Sequence, residues 1–435
     1  MVWWPQRMRL LIAMVMSLAA GGVSFAGPDP ILLLSGARVL AADGRSWQTG
    51  QDLLLVDGRI ARMGPAGQVP PPPDREVLRL DLEGLFLIPG LMELHSHLLL
   101  HPYDETPWET QVLKESLELR TIRGSVAAAA TLAAGITTER DLGTEGAGFA
   151  DVALRRAIDS GLIAGPRLLV ATRAIVAGAS YGPGGFDPRW DVPLGAQEAD
   201  GVAGVRRAVR QQVRGGADWI KVYADYRRAP GAVSTPTFSQ EELDALVDEA
   251  TSAGLPVAAH ASTPEGIRRS VLAGAVTIEH GYGATDQVLR LMKTKNVMLL
   301  PTLAAVEAMA VYRGWDGELP EPATVLAARD LIRRALAIGV RIGFGSDVGV
   351  FDHGDSTREL ELLVLYGMPV PDALAAATSV AAEVLGLGDE LGRIEEGFLA
   401  DLVALEGDPL RDISVLRRPV LVIKNGVVAF ERRRP

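Results

Sequence analysis

The sequence predicts an α/β protein: a (β/α)8 TIM barrel with a small β domain assembled from both ends of the chain. Three observations lead there. Eight short apolar runs bounded by turn residues recur between residues 85 and 347. Amphipathic stretches with helical spacing separate them, whereas the two ends of the chain carry only short strands and turns. Alternating strand and helix builds a parallel sheet with helices outside, and eight repeats match a closed barrel. An open doubly wound sheet is the rival, but no glycine-rich phosphate loop follows the first strand.

Residues 1–26 stand apart. They hold Arg7 and Arg9, an apolar run from Leu10 to Ala20, and small residues ending at Ser24-Phe25-Ala26. That is the layout of a secretory signal peptide, and the run is too short to span a bilayer comfortably. Cleavage near Ala26 is expected, giving a periplasmic or secreted protein without a stable membrane anchor; an uncleaved anchor is the alternative. The chain has 435 residues, a formal charge of −11 and no cysteine. An acidic balance argues against nucleic acid as partner. The lack of cysteine excludes disulfides, thiolate metal sites and a cysteine nucleophile, and suits an exported protein.

Residues 27–84 read as strands ILLLSGARVLA, DLLLVDGRIARMG and EVLRLDLEG around the proline run Pro70 to Pro73; residues 386–435 repeat the texture in ADLVALEGD and PVLVIKNGVVAF. Asp57-Gly58 and Asn425-Gly426 are turn signals. Between them, residues 85–385 hold the barrel runs LFLIPGLMELH, AGITTERD, PRLLVATR, DWIKVYAD, LPVAAHA, AVTIEHG, VMLLPTLA and VRIGFGSD. Stretches such as SQEELDALVDEATSAG and TPEGIRRSVLAGA supply helices. Three connections are long enough to wall a pocket: 98–111 with His101, Tyr103 and Trp108, 174–201 with Tyr181 and Trp190, and 306–322 with Tyr312 and Trp315.

In such a barrel, function sits where strands give way to loops. His95, His97, Lys221, His260, His280 and Asp347 all fall at or near those ends. His95 and His97 are two apart on a strand, so both face one side. His260 and His280 are separated by one helix, at corresponding heights on adjacent strands. Asp347, on the eighth strand, lies beside the first once the barrel closes. Lys221, pointed into an apolar interior, loses charge stabilisation; its neutral amine can add carbon dioxide and become a bridging carbamate. Any one of these histidines alone reads more readily as a core residue, and Lys221 as a partner of Asp225. The combination on five strand ends is what points to a metal site.

PGLMELHSH resembles the PGLID-HxH signature of the amidohydrolase superfamily, and the ordered HxH, Lys, His, His and Asp resemble its binuclear class with a carboxylated lysine. GFGSDVG, HGDSTREL, TIEHG and GFLADLVALEGDPL look like the imidazolonepropionase-like branch that includes Xaa-Pro dipeptidases. Glu93 departs from the signature's aspartate, and Ser356 from a frequent asparagine; Lys221 argues against imidazolonepropionase activity itself. The resemblance implies a small β-sandwich from both chain ends and two divalent ions, with zinc favoured by histidine-rich ligation. His95, His97 and Asp347 would hold one ion, His260 and His280 the other, with carboxylated Lys221 and a hydroxide bridging them. It also implies hydrolysis of an amide bond in a small molecule or short peptide, with Asp347 as catalytic proton shuttle.

Tyr226 is the first choice for binding a substrate carboxylate, by the same resemblance. Arg140, Tyr223, Arg227 and His353 also follow barrel strands, and Tyr181 and His101 lie in pocket loops; a solvated loop is the alternative for several. Hydrolysis of a non-peptide amide, lactam or cyclic imide is the alternative activity. A non-catalytic scaffold of the same fold and a periplasmic binding protein fit less well, since all six ligands are present. A homo-oligomer is compatible with the sequence.

Overall fold

The computed structural model describes residues 31–187, 189–227, 231–318 and 320–432. The expected signal peptide, residues 1–26, lies outside the described residues. Among these, no helix is long and apolar enough to cross a membrane.

Both chain ends build one hydrogen-bonded sheet of eight strands. Its order is Val427–Glu431, Leu421–Lys424, Leu402–Leu405, Phe86–Pro89, Ile31–Leu40, Trp47–Val56 and Arg59–Pro65, with Val77–Asp81 paired to the first half of Ile31–Leu40. The two turn signals close two-residue hairpins with left-handed φ at both central residues, 49° and 78° at Asp57 and Gly58, 49° and 73° at Asn425 and Gly426. These turns meet: a Cβ on Gly426 would fall 3.0 Å from the Gly58 Cα, so neither glycine has room for a side chain. Leu34, Leu53, Leu55, Ile60, Leu87 and Leu402 fill the core of this sheet.

The run LFLIPGLMELH divides at Gly90. Phe86–Pro89 pairs with Leu402–Leu405 in the end sheet, which therefore reaches past residue 84, and only Leu91–Ser96 joins a parallel sheet. A Cβ on Gly90 would lie 2.1 Å from Thr137 Oγ1, so only glycine lets the strand cross there.

The middle of the chain is α/β. One parallel sheet runs Leu91–Ser96, Ile136–Asp141, Arg167–Val170; another runs Gln197–Glu198, Ile175–Val176, Ile220–Tyr223, Val257–Ala261, Thr277–His280, Met298–Leu300. Helices between them are capped as their sequences dictate. Ser239 and Glu242 exchange bonds in a capping box before Gln240–Ser252, and Gly274, with φ 103°, ends Pro264–Ala273.

Two expectations are corrected. VRIGFGSD is not a regular strand: it is an irregular segment with bridges from Ile342 to Leu299 and from Val348 to Ser96. It is bonded on both sides, by Gly343 N to Leu299 O at 3.0 Å and by Asp347 N to His95 O at 2.8 Å. Gly343 and Gly345 permit the close approach, since a Cβ on Gly343 would meet Met298 Sδ at 2.5 Å, and the φ of 61° at Asp347 breaks the extended path. The connection 306–322 is not all loop, because helix Leu303–Tyr312 fills its first part. Apolar on nearly every face, LAAVEAMAVY shows no polar period from which a helix could be read.

Candidate active site and metal centre

Strand ends and their following loops enclose a cavity of about 440 Å3, lined by His95, His97, His260, His280 and Asp347. His95 and His97 leave the same strand and present their Nε2 atoms to one carboxylate oxygen, Asp347 Oδ1, at 3.5 and 3.3 Å. These three groups could hold one ion, their ligand atoms lying within 4.8 Å of one another. His260 and His280 form a second pair with ring centroids 4.5 Å apart, and His280 is 5.2 Å from His95.

His260 and His280 are not at equal heights as expected. His280 pairs with Ala261 while His260 pairs with Glu279. The positive φ of His280, 71°, is what brings its ring beside His260 despite the offset. Backbone strain of this kind costs about 1–3 kcal/mol and persists only where surrounding structure enforces it.

Three of the four imidazoles are oriented from behind by hydrogen bonds. His95 Nδ1 meets Glu279 at 2.7 Å, His97 Nδ1 donates to Gly143 O at 2.9 Å, and His280 Nδ1 meets Thr302 Oγ1 at 2.8 Å. A carbonyl only accepts, so His97 carries a proton on Nδ1; burial lowers this imidazole, but the hydrogen bond and charge of Asp347 at Nε2 outweigh burial and raise it to about 9, so a cation bound there would displace a second proton. Burial holds the His95 and His280 pKa values well below the usual imidazole range, and burial with the nearby Lys221 charge takes His260 to about 3. Neutral imidazoles are what a cation requires.

Lys221 sits on strand Ile220–Tyr223, 1% exposed, and its Nζ has no hydrogen-bond partner among the described residues. Burial pushes its amine down to about 8. Pairing with Asp225 does not occur: that carboxylate accepts from Ser262 N at 2.9 Å and from Thr263 N and Oγ1 at 2.7 Å. Burial would raise the Asp347 carboxyl, but the charges and hydrogen bond of His95 and His97 outweigh it and hold the group below its ordinary value. The donor set of imidazoles, a carboxylate and an orphaned buried amine fits divalent cations.

The structure divides the other candidate residues. Tyr181, Tyr223, Tyr226 and Arg227 line the cavity. Arg140 does not: its guanidinium donates to Leu94 O at 2.7 Å and to Glu279 at 3.3 Å and stacks 4.2 Å over Trp219, so it braces the groups beneath His95. His101 and His353 are likewise off the wall, turned to Glu115 at 2.9 Å and to Leu100 O at 3.1 Å. Glu93 clamps the backbones carrying His95 and Asp347, accepting from His95 N at 2.8 Å, Ser346 N at 3.0 Å and Ser346 Oγ at 2.7 Å. Ser356 is buried away from the cavity.

Sequence reasoning missed Glu145, which lines the cavity. Its carboxylate accepts from Trp108 Nε1 at 2.9 Å, from Tyr223 Oη at 3.1 Å and from Tyr181 Oη. Nothing in the loop GTEG marks it, since its position depends on a left-handed φ of 48°. Glu279 and Thr302, the partners of His95 and His280, were missed too; the place of Glu279 beside His280 in TIEH was the one available signal.

With this geometry, the likeness to known proteins can be placed. Ochratoxinase of Aspergillus niger is 34% identical over 318 residues, which is 66% of this chain and 63% of that one, so the match spans under two thirds of the relative. Imidazolonepropionase of Maricaulis maris is 28% identical over 400 residues, covering 84% of this chain and 90% of its own. A crystal structure of a Xaa-Pro dipeptidase with methionine in its active site superposes with a TM-score of 0.82 at 32% identity, covering 92% of this chain and 100% of the other. The profile of the amidohydrolase family matches residues 86–429, and by that match, over most of its length, this chain belongs to the amidohydrolase family.

Proposed function

We propose that the chain is a metal-dependent hydrolase cleaving the amide bond of a dipeptide or N-acyl amino acid. The observation that carries this reading is the buried, partnerless Lys221 amine among four inward-turned imidazoles and Asp347. In it, the two parallel sheets are arcs of one (β/α)8 barrel and the end sheet folds over as a β-sandwich. The likeness to a Xaa-Pro dipeptidase supports the substrate class.

His95, His97 and Asp347 would hold one divalent ion, His260 and His280 a second, and Lys221 would join both as a carbamate. The carbamate forms when the neutral Nζ lone pair attacks carbon dioxide and one proton is released. Bound divalent ions, most suitably zinc, would make water nucleophilic near neutral pH and polarise the scissile carbonyl. The residues do the rest. Glu279, Gly143 and Thr302 fix the imidazoles, so the ligand lone pairs stay aimed as the carbonyl changes geometry. Asp347, facing both His95 and His97, accepts the proton of the attacking water and passes it to the leaving amine nitrogen. Tyr226 and Arg227, side by side at 5.3 Å on the cavity wall, bind the substrate carboxylate. Residues 1–26 direct export, so the substrates are extracellular.

Metal analysis of the purified protein, followed by assay on dipeptides, N-acyl amino acids, lactams and cyclic imides, tests the reading. Close to two equivalents of divalent metal and turnover of the first two classes are expected. Full activity with one equivalent would remove Lys221 as a bridge, and turnover confined to the cyclic compounds would overturn the substrate class. A mature N-terminus at Gly27, found by mass spectrometry of exported protein, tests the leader.

A further inference from the structure

Glu145 presents a chemical puzzle that hydrolysis does not use. Its carboxylate is 2% exposed, yet the groups that donate to it, Trp108, Tyr181 and Tyr223, are all neutral. Burial holds both phenols protonated, far above their ordinary pKa. The nearby Arg120 guanidinium is spent on carbonyls, those of Leu99, Thr144 and Glu145 itself, at 2.7 to 3.1 Å. Among the described residues no cation comes within salt-bridge distance of this carboxylate, and the Arg120 charge acts on it from beyond that range. Nor does it belong to the His95, His97 and Asp347 cluster. A buried negative charge whose hydrogen bonds all come from neutral donors is stabilised further when a cation joins it directly.

Around that charge the cavity wall is aromatic. Tyr181 lies 4.8 Å from Tyr223 and 4.9 Å from Tyr226 by ring centroid, and Tyr223 lies 6.0 Å from Tyr226. Aromatic faces grouped beside a carboxylate attract an ammonium by its charge and by the ring quadrupoles. At the same time Arg227 and Arg313 line the cavity and form no ion pair among the described residues. One anion and two cations without salt bridges among the described residues line the same cavity, which matches a zwitterion.

We propose that Glu145 with Tyr181 and Tyr223 is an ammonium subsite, and that the substrate is a dipeptide with a free α-amine rather than its N-acyl counterpart. This rests on the amide-hydrolase reading and chooses between the two classes it allows. Position decides which amine. Glu145 Oε1 and His97 Cε1 each lie 3.6 Å from where a Cβ on Gly143 would sit, so this carboxylate stands near that imidazole. An α-ammonium is one carbon from the scissile carbonyl, so it must be recognised beside the ligands that surround that carbonyl. A lysine side-chain amine would reach well beyond them.

Alanyl-leucine and propionyl-leucine differ only by the α-amine, and so isolate the subsite. In the metal-loaded enzyme kcat/KM should favour alanyl-leucine by at least about tenfold, in line with a charge-assisted bond to a desolvated carboxylate. In Glu145→Gln, which keeps the size of the side chain, the ratio should fall to near one. Equal rates or a preference for propionyl-leucine in the wild type overturn the proposal, as does a ratio unchanged by Glu145→Gln. Should neither compound be hydrolysed, the amide-hydrolase reading fails separately, and calorimetric titration with the same pair decides. Alanyl-leucine binding at least tenfold tighter, with the advantage lost in Glu145→Gln, supports the ammonium subsite; equal or absent binding overturns it.

Discussion

In the end sheet, left-handed backbone falls on Asp57 and Asn425 beside glycines, at hairpin turns that demand it; at the cavity it falls on Glu145, His280, Thr302 and Asp347, none of them at hairpin turns. Buried charge divides the same way. Asp52 in the end sheet accepts from Gly36 N at 2.9 Å and Gly67 N at 2.8 Å, whereas Lys221 Nζ has no hydrogen-bond partner among the described residues. Of the two regions, the end sheet meets its polar and conformational demands locally apart from Asp401 Oδ2, which accepts no hydrogen bond and lies 3.6 Å from Arg167. The other leaves them open, which is what a site for a charged ligand requires.

The sharpest way to break this contrast is Lys221→Ala. If the orphaned amine exists to bind metal, the variant loses metal and nearly all activity, and short carboxylic acids in the buffer partly restore both. Metal content measured with and without acetate checks this, and full metal retention would make Lys221 a structural residue. Next comes Asp347→Asn, which keeps one ligating oxygen but cannot take a proton. We expect near-normal metal content with kcat lowered by roughly 10²-fold and KM little changed. A normal kcat with both metals bound would assign the proton to another group.

Smaller effects sharpen the other half. Leu53, fully buried in the end sheet, should lose about 2–5 kcal/mol of stability as Leu53→Ala, with metal content per folded molecule unchanged. Denaturant titration alongside metal analysis measures both, and metal loss would show that the regions are coupled. Smallest is Asn425→Ala, which places a Cβ residue with weaker left-handed tolerance at φ 49° and should cost about 1 kcal/mol. Asn425→Gly should be near neutral by the same measurement.

The hairpins were legible because Asp-Gly and Asn-Gly need only two residues to declare a turn. The gathering of His95, His97, His260, His280 and Asp347 at one cavity was legible because a spacing of two on a strand, and residues at successive strand ends, can be read without knowledge of loops. VRIGFGSD misled, since its apolar alternation suits a strand while its glycines serve close packing against Met298 and His95. Arg140 lies inside strand Ile136–Asp141 rather than after it, and His353 follows the irregular segment; their directions are set by partners far away in sequence, Glu279 and Leu100. Glu145 was invisible for the same reason: its role comes from Trp108, Tyr181 and Tyr223, brought from a helix start, a loop and a strand end distant in sequence.

The left-handed φ values at His280 and Asp347 carry an evolutionary consequence. Backbone energetics at both positions favour glycine or asparagine, so folding alone does not maintain histidine and aspartate there. A descendant released from selection for chemistry would drift at these sites early, while the packed leucines of the end sheet held. The identity of these two residues therefore works as a gauge, readable from sequence, of whether a relative with this fold is still under selection to catalyse.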